Sequence, residues 1–254
     1  SRHNPARRIA GHATMSLDTS TLYLVATLVA ALLGAMLLFF GRQENIPALK
    51  WWGAAYVLGA SSIAISTLTN SLLIQQLSLS LNAVGFAACG MVWGAARVFH
   101  GRSPNLPGIV LGAFVWLAAL SLLAPITPAM RMTIGAAIVA VYAALTASEL
   151  LTERRKAMKR RWPSFIVPVL HGFVLMLPIL LGDYFRGDDE RFADSVWATI
   201  FAIELVLYAV GTVFVIFMLV SERTVRAHKA AASLDPLTGI FNRRGFAEAT
   251  ARMI

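Results

Sequence analysis

The chain has 254 residues, of which 57% are hydrophobic and only 14% charged, with a net charge of +9 and a single cysteine. A soluble globular chain is nearer half apolar and a quarter charged, so this composition argues against an ordinary water-soluble domain. One cysteine, Cys89, rules out an internal disulfide and leaves a thiolate metal site without a second ligand.

Residues 1–14, SRHNPARRIAGHAT, are basic and no apolar run follows them before Met15, so they do not form a secretory signal. They read as a tail, with Met15 a candidate start and the residues before it carried in from upstream. Seven apolar blocks follow, at 22–40, 52–68, 77–96, 108–124, 132–150, 165–182 and 196–220. Their lengths suit a helix crossing the hydrocarbon core. Backbone groups in lipid must be paired within their own segment, so each block is expected to be a helix. The expected fold is all-α, a polytopic transmembrane bundle of about seven helices in contact with the lipid bilayer. Ser61, Ser62, Ser66 and Thr67 make the second block the most dilute. Tyr23, Trp51, Trp52, Trp162, Tyr184 and Trp197 fall at block boundaries, where aromatic rings favour the headgroup region.

The loops alternate in charge. One set holds Arg42 and Lys50, Arg97 and Arg102, the cluster TERRKAMKRRW at 152–162, and Arg223, Arg226 and Lys229. The other set, counted from Met15, holds only Arg131, Arg186 and Arg191, and its last loop is acidic. The positive-inside rule puts the first set in the cytoplasm. The N-terminus is then outside and the C-terminus inside, across a bacterial inner (cytoplasmic) membrane. The basic residues before Met15 are the dissenting feature. Because most basic residues flank apolar blocks, topology accounts for the net charge, and no nucleic-acid partner is expected. The cluster at 152–162 can also touch anionic lipid heads.

Ionisable groups inside spans are costly and are functional candidates by default. His171 falls in the sixth block and Glu204 in the seventh, on consecutive antiparallel helices. Tyr208 is one turn further in than Glu204, on the same face. A cluster of His171, Glu204 and Tyr208 is therefore expected. It reads either as a sensing or proton-responsive site or as an interhelical hydrogen bond that holds two helices together. Pro168 and Pro178 can kink the sixth helix, Asn82 reads as packing glue, and Gly90 with Gly94 permits close helix approach. Glu149, at the cytoplasmic edge, is expected to reach water.

After Val220 the apolar run stops, but no helix breaker appears before Pro236. The stretch 221–234 can continue the seventh helix for about four turns. Then DPLTG makes a turn, and Asn242 can cap a new helix. The combination Asp235, Leu237, Thr238 and Gly239, followed by Asn242, Arg243, Arg244 and Phe246, resembles the opening of the GGDEF domain of diguanylate cyclases. The likeness covers about twelve residues and follows a linker helix, as in that family.

The resemblance implies an α/β domain beginning at 235 and a homodimer that condenses two GTP molecules into cyclic di-GMP with Mg²⁺. Such a reaction rests on positioning and on charge neutralisation by metal. The family's metal-binding aspartates and GGDEF loop follow the opening motif, and residues 235–254 contain neither. The motif residues are thus expected to be structural. No catalytic or metal-binding residue, and no cofactor, is assigned within these 254 residues. The expected division is a tail at 1–21, a membrane sensor and anchor at 22–220, a linker helix at 221–234 and the start of a GGDEF domain at 235–254. The signal ligand is not legible. Alternatives are a membrane receptor whose GGDEF output is degenerate, and a small-molecule or ion transporter, which would usually show internal repeats. A retinal protein would need a lysine in the last span, and 196–220 has none.

Overall fold

The computed structural model describes residues 19–67, 72–151, 158–181 and 196–233, together with 235, 238, 240–243, 246 and 250. Among these, seven helices follow in chain order: α1 (Thr19–Gln43), α2 (Pro47–Thr67), α3 (Leu72–Phe99), α4 (Leu106–Leu122), α5 (Pro128–Leu151), α6 (Met158–Leu180) and α7 (Val196–Ala232). The described residues contain no strand. The basic tail, the acidic loop and most of the 152–162 cluster lie outside the described residues.

Local sequence sets the visible turns. Asn45 takes a left-handed φ of 49°, which Asn tolerates better than most residues, and Pro47 fills the first position of α2. Gly101 supplies the other positive φ, 76°, between α3 and α4. The Asn105 side chain then accepts the Gly108 N–H and caps α4. Thr127 Oγ1 does the same for the Met130 N–H at the start of α5, with Pro128 in the first turn.

Four helical stretches are long and apolar enough to cross a membrane: Thr19–Gln43, Leu79–Phe99, Pro128–Leu151 and Val196–Lys229. Leu106–Leu122 and Ser164–Leu180 are shorter and also apolar. Large side chains face outward to an extent that water would penalise. On α1, Leu28, Leu32 and Phe39 are 61–63% exposed, and on α7 Leu207 and Phe214 are 67% and 71% exposed. Continuous exposed apolar stripes of this kind fit lipid rather than water as the surrounding solvent.

The helices pack largely on their sequence neighbours, and α7 closes the bundle by packing on both α1 and α6. One core joins Leu37, Trp52, Phe99, Leu150 and Ile216 from five helices. A second joins Trp93, Trp116, Ile138 and Tyr142, with Cys89 against it as a small packing residue. Small residues permit the tightest crossings. A Cβ on Gly90 would lie 2.2 Å from the Ile109 carbonyl oxygen, and one on Gly94 would lie 2.6 Å from Ile109 Cδ1. The Gly90/Gly94 pair is thus where α3 receives α4. Asn82 accepts from the Ser66 hydroxyl at 3.1 Å and so links α3 to α2.

Two boundary aromatics behave differently from the headgroup reading. Trp52 is 2% exposed, with its ring centred 5.9 Å from that of Phe99. Trp197 is 7% exposed and stacks towards Phe201. Both rings turn into the bundle because each side chain projects from a packed helix face, which outweighs its height along the helix. Tyr184 and the Trp162 side chain lie outside the described residues.

Candidate intramembrane polar site

α6 and α7 run antiparallel, and that alignment brings His171 to Glu204. His171 Nδ1 lies 2.8 Å from Oε1 and 2.9 Å from Oε2 of Glu204. An ionised carboxylate only accepts hydrogen bonds, so with Glu204 ionised Nδ1 is the donor. Both side chains are withdrawn from the surface, at 8% and 14% exposure. Tyr208, one helical turn beyond Glu204, stacks on the imidazole with ring centroids 3.8 Å apart and planes inclined by 13°. The carboxylate therefore fixes one edge of the imidazole, and the phenol ring covers one face.

The pair is a close contact between two ionisable side chains on neighbouring helices. It lies among apolar helices, where charge interactions are strengthened and a lone charge is costly. Beside the pair, α7 is also tied to α2. The Tyr56 hydroxyl of α2 donates to the carbonyl of Ala209, the residue after Tyr208, at 2.9 Å. Tyr208 also borders a cavity of about 20 Å³, together with Thr146, Ser164, Pro168 and Thr212. That volume is enough for a single water molecule.

A second charged group lies nearer the end of the bundle where α7 emerges. Glu149 of α5 is buried, with 7% of its side chain exposed, rather than reaching water as its position suggested. Arg102 Nη1 lies 3.0 Å from Oε1, and Arg97 Nη1 lies 4.0 Å from Oε2. The sequence placed both arginines in a loop and Glu149 on a different helix. Only the packing of α3 on α5 makes them partners. Alternating loop charge was the available signal, since acidic residues are rare on that side of the chain.

At the C-terminal end, α7 continues as one helix to Ala232. Arg223 donates to the Phe99 carbonyl at 2.9 Å, and its guanidinium lies over the Phe99 ring. The emerging helix is thereby pinned to the end of α3. Of the motif residues, Leu237, Gly239 and Arg244 lie outside the described residues. Asp235 Oδ1 accepts from both the backbone N–H and the hydroxyl of Thr238, at 3.0 and 3.1 Å. The Asp235 N–H in turn donates to the Ile240 carbonyl. Asn242 uses its side-chain amide to reach back to the Ala232 carbonyl at 2.9 Å, and its backbone N–H donates to the Ser233 carbonyl. The Phe246 N–H donates to the Asn242 carbonyl, as in the first turn of a helix. Asn242 thus satisfies carbonyls left free at the end of α7. Arg243 takes helical geometry just after Asn242.

Among the described residues no three of His, Cys, Asp and Glu converge on one point, and Asp235 is engaged by Thr238. The likeness of residues 235–246 to a GGDEF opening rests on the sequence. Comparison with protein-family models, characterised proteins and solved structures finds no match for this chain.

Proposed function

We propose that this chain is the membrane sensory and dimerising region of a diguanylate cyclase, coupling a signal in or across the membrane to cyclic di-GMP synthesis. The observation that carries the reading is the dense motif at 235–246 following directly on an unbroken 37-residue helix. Asn242 is tied back to the Ala232 carbonyl, and a linked helix end of this kind suits the transmission of a shift. All seven helices cross the membrane in this reading, α2, α4 and α6 included, and the protein is a homodimer. The catalytic residues would be those of an α/β domain that opens at 235 and holds GTP and Mg²⁺.

The full-length protein in membranes should convert GTP to cyclic di-GMP in the presence of Mg²⁺. A complete GGDEF sequence with no product would leave a receptor with a degenerate output domain. Orientation is tested separately. In a Cys89→Ala background, a cysteine at 188 should react with an impermeant reagent added from outside, and one at 158 should not. The reverse pattern would invert the topology.

A further inference from the structure

α4 and α5 are consecutive but splay apart. Tyr142 of α5 clamps one end of the pair: its hydroxyl accepts the Gly112 N–H at 2.9 Å and donates to the Gly108 carbonyl at 2.7 Å. Beyond that clamp the two backbones diverge, with Trp116 still meeting Ile138 in the second core, and each helix packs more extensively on α3. The gap they leave at the 123–127 connection is a cavity of about 470 Å³. It lies about 16 Å along α5 from the clamp, at the end of the bundle away from the emerging linker helix.

Leu117, Leu120 and Ile126 wall this cavity, and Ser80, Ser121 and Arg131 are its polar groups. One wall is fixed, since the Trp116 indole donates to the carbonyl of Leu79 at 2.7 Å and its ring packs on Phe86. Arg131 makes no ion pair or side-chain hydrogen bond among the described residues. A half-open cavity with apolar walls, two hydroxyls and one cation at its edge is matched by a ligand with an apolar body and one anionic head. A guanidinium fork suits a carboxylate with two parallel N–H···O bonds. The volume falls in the range of small-molecule sites and is too small for a two-chain lipid.

We infer that the cavity between the ends of α3, α4 and α5 binds a short-chain amphipathic carboxylate, its chain against Leu117, Leu120 and Ile126 and its head on Arg131. As a binding site this stands by itself; as the input of a signal it rests on the sensory reading above.

The test measures binding directly and needs no cyclic di-GMP. The chain in nanodiscs of uncharged lipid is titrated calorimetrically with octanoate, octan-1-ol and octyltrimethylammonium. Octanoate should bind saturably and at least about tenfold more tightly than octanol, as expected for one charge-assisted contact. Arg131→Gln should remove that preference, Arg131→Lys should keep part of it, and Leu117→Trp, which fills the chamber, should abolish binding of both. Melting temperatures of the variants near that of the parent show that they fold. Equal affinity for octanoate and octanol in the parent would overturn the proposal. Loss of octanoate binding on adding phosphatidylglycerol, with no effect of Leu117→Trp, would also overturn it, by assigning Arg131 to lipid phosphate.

Discussion

Glu204→Gln in the full-length protein should change cyclic di-GMP output by about 5- to 150-fold, the range of a coupling of 1–3 kcal/mol between a site and its effector. Membrane abundance should not change. The glutamine keeps the size of the side chain but cannot hold a negative charge against His171 Nδ1, now 2.8 Å away. His171→Phe is the companion change. It keeps an aromatic ring for Tyr208 to stack on, at the present 3.8 Å, and removes the N–H. If the proton between the two groups carries the signal, both variants shift output in the same direction and the double variant adds little, because the residues act as one unit. A purely structural pair gives a different result. Output then stays level and responsive, and each variant lowers stability in detergent by about 0.6 kcal/mol and no more than about 1.7, the range for interhelical hydrogen bonds in membranes. That result would remove the sensory reading of the pair and leave the cyclase assignment intact.

Inserting one to seven alanines after Ala230 in the full-length protein should make output vary periodically with insert length. α7 passes from the bundle to Ala232 without a break, is pinned at Arg223 to the carbonyl of Phe99, and is joined at Ala232 to Asn242. Each inserted residue turns everything after it by about 100° and advances it by about 1.5 Å. Condensing two substrates held on two protomers needs close alignment, and a misplacement of about 1 Å can cost about 100-fold. Inserts of one or two residues should therefore lower output at least about tenfold, with recovery near seven as a coiled-coil register returns. Similar output at every length would establish the linker as a passive tether.

Much of the architecture was legible without coordinates because lipid imposes a simple rule on the backbone. Apolar blocks of membrane-crossing length have to be helices, and each expected block falls on one of the seven described helices, although α2, α4 and α6 end one or two residues early and α7 runs on through the expected linker to Ala232. The continuation of α7 followed from the absence of Gly and Pro after Gly211. The approach of His171 to Glu204 was legible for a related reason. Consecutive antiparallel helices leave little freedom in depth, so rise per residue alone brings the two to neighbouring levels.

Long-range packing decided the rest. Glu149 looked like a solvated helix end, and only the contact of α3 with α5 turns Arg97 and Arg102 onto it. Trp52 and Trp197 stand at block boundaries, where a headgroup anchor was expected, but which side of a helix faces protein is a rotational property that position along the helix does not fix. Gly90 and Gly94 permit close approach to any helix; that the partner is Ile109 of α4 depends on how the bundle closes. The chamber beside Arg131 is less legible still, since it comes from the divergence of α4 and α5 beyond the Tyr142 clamp. Sequence by itself determined the helices and their apolar character, because these depend on local composition. Which faces meet, which charges pair and where space is left open depended on the rotation and splay of whole helices, which only the tertiary structure decides.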